Sequence, residues 1–218
     1  MTFSNHKYKE IQSFIKNNAE NIVKTIVISK SHPFSSVQKA INSGIRVFGE
    51  NKVQEAIYKF SKLKVKYEDM ELHLTGSLQT NKTKDALNIF DVFHTLDREK
   101  LALQFNKYFI HASSKKFFIQ VNIGKENNKS GIWPEQTNDF VNYCLYELKL
   151  PIIGLMCIPP IDDDPQQHFS TMNDLALKNN LNFLSMGMSS DYKCAILNGA
   201  THIRIGTLLF GSRTTYES

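Results

Sequence analysis

Eight short runs rich in β-branched and aromatic residues, separated by stretches with helical spacing, occupy almost the whole chain from Thr25 onward. No other feature constrains the fold so strongly. The runs cover 25–30, 46–51, 71–77, 91–96, 116–124, 152–159, 183–187 and 202–210, and helical patterns at 35–42, 53–63, 134–148 and 164–179 lie between them. Strand–helix alternation of this kind predicts a parallel sheet. Eight units with few residues after the last favour closure into a barrel, because closure removes both sheet edges. The expected fold class is therefore α/β, a single (β/α)8 TIM barrel domain spanning 1–218. An extra N-terminal helix over 7–18 is expected from the spacing of Tyr8, Ile11, Phe14 and Ile15.

Composition excludes several other classes. Of the 218 residues 41% are hydrophobic and 22% charged, and no apolar run approaches the ~20 residues of a membrane span, so a soluble globule is expected. The N-terminus carries no basic stretch leading into an apolar segment, which points to a cytoplasmic protein without a secretory signal. Cys144, Cys157 and Cys194 are odd in number and widely spaced, a pattern of reduced thiols and not of a disulfide framework or zinc site. The net charge of +5 and the basic stretch 62–66 raise the question of nucleic acid. Most lysines are nevertheless scattered among acids, and a mild positive field equally attracts a phosphorylated small molecule.

Side chains of the first run alternate faces, so Lys30 shares the lumen face with Ile26 and Ile28 and stands at the top of the barrel. Desolvation there favours the neutral amine, the form that attacks an aldehyde. Taken alone, the same position also suits a lysine that snorkels to solvent. In the last run His202, Arg204 and Gly206 fall on one face, and Gly206-Thr207 offers backbone N–H groups and a hydroxyl where phosphate sites commonly form in barrels. The seventh unit matches it: Ser185, Gly187, Met188 and Ser189 form a glycine–serine turn ahead of a helix opening at Asp191. Two adjacent loops could grip one phosphate, although such a turn also suits ordinary chain reversal.

Read together, Ile28-Ser29-Lys30-Ser31-His32-Pro33, Phe48-Gly49-Glu50-Asn51, His73-Leu74-Thr75-Gly76-Ser77-Leu78-Gln79-Thr80-Asn81-Lys82, Lys129-Ser130-Gly131, Gly154-Leu155-Met156, Ser185 to Ser189 and Arg204-Ile205-Gly206 resemble the pyridoxal phosphate homeostasis protein family. The resemblance runs in order from about Thr25 to Arg213. His32 and Ser77 stand where other members often carry other residues. The resemblance implies a single barrel like the N-terminal domain of bacterial alanine racemase, with pyridoxal 5′-phosphate held as a Schiff base on Lys30. It also implies that Arg204 faces the pyridine nitrogen, with Asn51 as a neighbour of the ring. A guanidinium only donates hydrogen bonds, so it keeps that nitrogen unprotonated and makes the ring a poor electron sink. This suits a protein that carries the cofactor better than one that uses it.

The expected function is thus binding and supply of pyridoxal phosphate without substrate turnover, with pyridoxal-phosphate-dependent apoenzymes as candidate recipients and a monomeric barrel. The alternative is an amino-acid racemase. That enzyme needs a second acid/base, supplied in alanine racemase by an additional β domain, and the chain ends at Ser218 soon after the eighth run, so no such domain is expected here. A Schiff-base aldolase acting on a phosphorylated sugar is a third reading. His73, His94 and His202 read as lumen-filling residues more readily than as metal ligands, since no acids cluster with them. Asp162-Asp163-Asp164 reads as a helix cap before it reads as a cation site.

Overall fold

The computed structural model describes residues 3–212; Arg213, where the resemblance ends, lies outside them. Each β-rich run forms one strand: β1 (Lys24–Ile28), β2 (Val47–Glu50), β3 (Glu71–Leu74), β4 (Val92–Leu96), β5 (Lys116–Val121), β6 (Ile152–Cys157), β7 (Phe183–Ser185) and β8 (His202–Ile205). They pair in parallel, in chain order, and β8 returns to β1 to close the barrel, with Ile26 opposite Arg204. Every sequence-derived strand except the fourth overran at its C-terminal end. The largest overrun is at 202–210, where β8 stops at Ile205 and Thr207–Phe210 turns into a short helix capped by Gly206.

Helices α1 (Asn5–Asn18), α2 (Phe34–Asn42), α3 (Val53–Lys66), α4 (Thr83–Ile89), α5 (Glu99–Lys107), α6 (Phe109–Ala112), α7 (Thr137–Asn142), α8 (Pro165–Lys178), α9 (Tyr192–Leu197) and α10 (Thr207–Phe210) surround it. The stretch read as one helix over 134–148 is a 3-10 turn, α7 and a π-helical turn at Tyr143–Glu147. Because α10 is a single turn, the helix after β8 is too short to cover the wall, and α1 packs beside it. Phe3 meets Phe210 with ring centroids 5.7 Å apart, and Phe14 meets Tyr192 of α9 at 5.9 Å. Asp164 caps α8 by accepting from the Gln166 N–H at 3.0 Å, and Asp163 pairs with His168, so the acidic run serves the helix start.

Two apolar layers result. The larger lies between strands and helices; the other fills the lumen, where Val92, Phe118 and Met156 cluster. The lumen is also polar. His73, His94 and His202 are buried in it, with His94 stacked on Phe118 at 4.5 Å. A ligand-sized space opens above the lumen, at the C-terminal ends of the strands where barrel sites are built.

Candidate functional site

A cavity of about 440 Å³ opens there, of the size that takes a small cofactor. Lys30, two residues past the end of β1, lines it together with Asn51 after β2, Arg204 of β8, Gly206, Thr207, Met188 and Ser189. Among the described residues its lining holds two cations, Lys30 and Arg204, and no carboxylate. The site therefore favours an anionic ligand.

The backbone that presents Lys30 is held from behind. Ser31 has φ +61°, a left-handed conformation that costs a non-glycine residue about 1–2 kcal/mol. Its N–H donates to Glu55 Oε1 at 2.6 Å, which offsets the strain. Glu55 in turn accepts from the buried Lys59 ammonium at 2.6 Å, and the same ammonium donates to Ser29 O at 2.7 Å and Glu50 Oε1 at 3.0 Å. All three ammonium protons are thus engaged. Ser29 Oγ also donates to Glu50 Oε1, at 2.7 Å. Burial pushes Glu50 up to about 7, against the opposing pull of Lys59 and the Ser29 hydroxyl. Its Oε2 is buried without a hydrogen-bond partner among the described residues, so a proton taken up near neutral pH sits there while Oε1 keeps both donors.

Arg204 is buried and donates Nη1–H to Ser185 Oγ at 2.8 Å and Nη2–H to the Cys157 carbonyl at 2.9 Å. Both acceptors are neutral. Burial lowers Arg204 from its ordinary value, but a guanidinium keeps its proton in any case. A buried cation with neutral oxygen partners and no ion pair among the described residues is a site looking for an acceptor. On the other side of the cavity Thr75 Oγ1 donates to Asn51 Oδ1 at 2.9 Å, which leaves the Asn51 amide N–H groups as donors. Gly76 permits that arrangement, since a Cβ there would stand 2.4 Å from the Asn51 carbonyl.

The turn after β7 and the start of α10 are tied together where Leu208 N–H donates to Ser189 Oγ at 3.3 Å. Gly187 sits at φ +91°, and a Cβ on it would approach the Ala195 Cβ to 2.5 Å, so only glycine lets the turn close against α9. Asp191 fixes the turn further by accepting from Met188 N–H. Gly187 thus shapes the turn from below and does not line the cavity. Ser185 departs from the sequence reading. It is the last residue of β7, fully buried, and its hydroxyl joins Arg204 to His94 Nδ1 inside the lumen instead of standing in the turn. The hydroxyl that sequence reasoning missed is Ser190, the next residue of the same turn. Ile28, Thr75 and Ile158 also line the cavity. Strand alternation already puts Ile28 on Lys30's face and could have found Thr75, which shares that of His73.

Comparison with known proteins bears on this geometry. The family described as "Alanine racemase, N-terminal domain" matches residues 5–214. A pyridoxal phosphate homeostasis protein of Aquifex aeolicus is 39% identical over 204 residues, covering 89% of each chain. That of Pasteurella multocida is 38% identical, covering 89% of this chain and 88% of its own. Among solved structures, PipY of Synechococcus elongatus PCC7942 with PLP bound is 32% identical, with a TM-score of 0.77 over 94% of this chain and 100% of that one. Alanine racemase from Acinetobacter baumannii shares the fold at 14% identity and a TM-score of 0.74, covering 100% of this chain and 64% of its own. With a family match across nearly all of the sequence and relatives this similar over most of both chains, this chain belongs to the pyridoxal phosphate homeostasis protein family.

Proposed function

We propose that the chain, as one barrel domain, binds pyridoxal 5′-phosphate as a Schiff base on Lys30 and serves in its intracellular storage and supply without substrate turnover. One observation carries the reading: a primary amine, a buried guanidinium with neutral partners, and a hydroxyl-bearing turn converge on a single cavity. These groups fit the three polar features of the cofactor. Lys30 would hold the aldehyde carbon, Arg204 would donate to the ring nitrogen, and the 188–190 turn with Gly206 and Thr207 would hold the phosphate. Asn51 would donate to the ring's remaining polar edge. When bound, the cofactor supplies a reactive aldehyde and an electron-accepting ring. Arg204 would restrain the second of these, because a guanidinium only donates and cannot accept a hydrogen bond from a protonated ring nitrogen, which favours the unprotonated ring.

The racemase alternative needs a second acid/base facing Lys30 across the cavity. Among the described residues the lining contains no tyrosine, histidine, cysteine or carboxylate that could fill that role. Cytoplasmic residence agrees with three free cysteines, and no helix of the described residues is long and apolar enough to cross a membrane. A monomer that hands cofactor to apoenzymes completes the reading.

The test combines two measurements on the purified protein. An absorbance scan before and after borohydride, followed by peptide mass mapping, is expected to place the reduced cofactor on Lys30. Incubation with common amino acids in deuterium oxide is expected to show no protein-dependent loss of the α-proton by NMR. Rapid exchange requiring Lys30 would restore the racemase reading; a colourless protein that binds no added cofactor would overturn both.

The phosphate site gives a separate expectation. Ser189→Ala together with Thr207→Val should weaken retention of pyridoxal phosphate more than that of unphosphorylated pyridoxal, by about 1.5–3 kcal/mol for each hydrogen bond to a charged oxygen. Competition dialysis with both ligands measures the difference. Equal losses would mean that these loops hold something other than the phosphate.

A further inference from the structure

A line of hydrogen bonds crosses the barrel lumen from its lower mouth to the cofactor cavity. At the bottom Lys24 Nζ donates to Glu71 Oε1 at 2.7 Å, and His73 Nε2 lies 2.6 Å from the same oxygen. His73 Nδ1 meets His94 Nε2 at 2.8 Å, His94 Nδ1 meets Ser185 Oγ at 2.8 Å, and Ser185 Oγ meets Arg204 Nη1 at 2.8 Å. From Glu71 to Arg204 the line runs through five side chains on four strands, β3, β4, β7 and β8, with Lys24 of β1 paired to its lower end.

Its two ends can act in only one way. Burial pushes the Glu71 carboxyl up, but hydrogen bonds from His73 and Lys24 and the neighbouring positive charge outweigh it, so Glu71 stays ionised and can only accept. Arg204 can only donate. Burial lowers both His73 and His94 below their ordinary value, so each ring is neutral and carries one proton. His73 must then place its proton on Nε2, toward Glu71, and accept at Nδ1. His94 must place its proton on Nε2 and accept at Nδ1, which draws the single hydroxyl proton of Ser185 toward it. The Ser185 oxygen is left with its lone pairs facing Arg204. Every donor in the line points down the barrel.

We propose that Glu71, His73, His94 and Ser185 form a one-way hydrogen-bonded relay that holds the Arg204 guanidinium in place for the ligand, making Glu71, at the opposite mouth of the barrel, a positioning residue for the cofactor site. The consequence for affinity rests on the reading that Arg204 meets pyridoxal phosphate. The proton positions do not.

The test therefore has two arms. Nitrogen-15 NMR of histidine-labelled protein without cofactor should find His73 and His94 both protonated on Nε2. Glu71→Gln, which is isosteric at a side chain 24% exposed, presents an amide that can donate as well as accept, so His94 should become a mixture of tautomers although it does not touch residue 71. Lys24→Met removes the ion-pair partner and keeps the carboxylate, and His94 should stay as in the wild type. In the second arm, titration with pyridoxal phosphate should show Glu71→Gln weakening binding about 3- to 10-fold, the effect of roughly one hydrogen bond, with Lys24→Met near the wild type. A wild-type His94 protonated on Nδ1, an unchanged affinity in Glu71→Gln, or an equal effect from Lys24→Met overturns the relay. A wild-type protein that binds no pyridoxal phosphate overturns the site reading instead, and the tautomers alone then decide whether the relay exists.

Discussion

Lys30→Ala is expected to abolish the visible absorbance band of the Schiff-base-linked cofactor and to let pyridoxal phosphate wash out on gel filtration. Among the described residues Lys30 is the one lysine that lines the cavity. Lys59, which is buried, stands behind the β1–β2 wall with all three ammonium protons in use. No second amine is therefore placed to take over the linkage. The contacts proposed for Arg204 and the 188–190 turn remain in the variant, so weak non-covalent binding should survive and be seen by calorimetry. An unchanged band, with borohydride-reduced cofactor mapping to another peptide, would sink the assignment. Loss of the band together with loss of folding, checked by circular dichroism, is not expected, because Lys30 is only half-buried and makes no part of the strand ladder.

Much of this could be read from the sequence because barrel strands obey a two-residue period. Ile26, Ile28 and Lys30, like His202, Arg204 and Gly206, were placed on the lumen face by alternation alone, and the cavity collects Ile28, Lys30, Arg204 and Gly206. Strand ends were less legible. Leu208-Leu209-Phe210 is an apolar run without alternation, and such a run fits a strand or a buried helical turn equally well. Ser185 shows a different limit. Its place in a serine–glycine stretch suggested a turn, whereas the β7–β8 pairing of Ser185 with His202 keeps it in the wall. The lumen relay was out of reach for the same reason: period two says that His73 and His94 point inward, but only the stagger of neighbouring strands decides which nitrogen meets which partner. Glu50 and Lys59 were invisible as a pair, since charged residues are rarely buried and nothing in a sequence announces an exception.

That buried pair carries the second large effect. Lys59→Met should destabilise the protein by about 3–5 kcal/mol in chemical denaturation, because it takes the ammonium from Glu50, which keeps only the Ser29 hydroxyl, and from the Ser29 carbonyl, which keeps only the His32 N–H, while preserving side-chain bulk. The damage should extend to the site, since Glu55 also loses the partner that aligns it on the Ser31 N–H beside Lys30. Glu50→Gln in the same background should recover part of the loss above neutral pH, where the carboxyl would otherwise carry an unpaired charge. A pH series separates this account from simple loss of packing. Glu50 is raised from an unfolded value of 4.5 to about 7, so the folded state binds the extra proton between those limits. Its contribution is then fully present below 4.5 and is lost as pH rises through 7, a decline of about 3 kcal/mol at most. Glu50→Gln cannot titrate and should lack that slope, being closest to the wild type in mildly acidic solution and relatively more stable above neutrality. Parallel stability–pH curves for Glu50→Gln and the wild type would show that Glu50 is ionised throughout, and the protonated buried acid behind Lys30 would have to be abandoned.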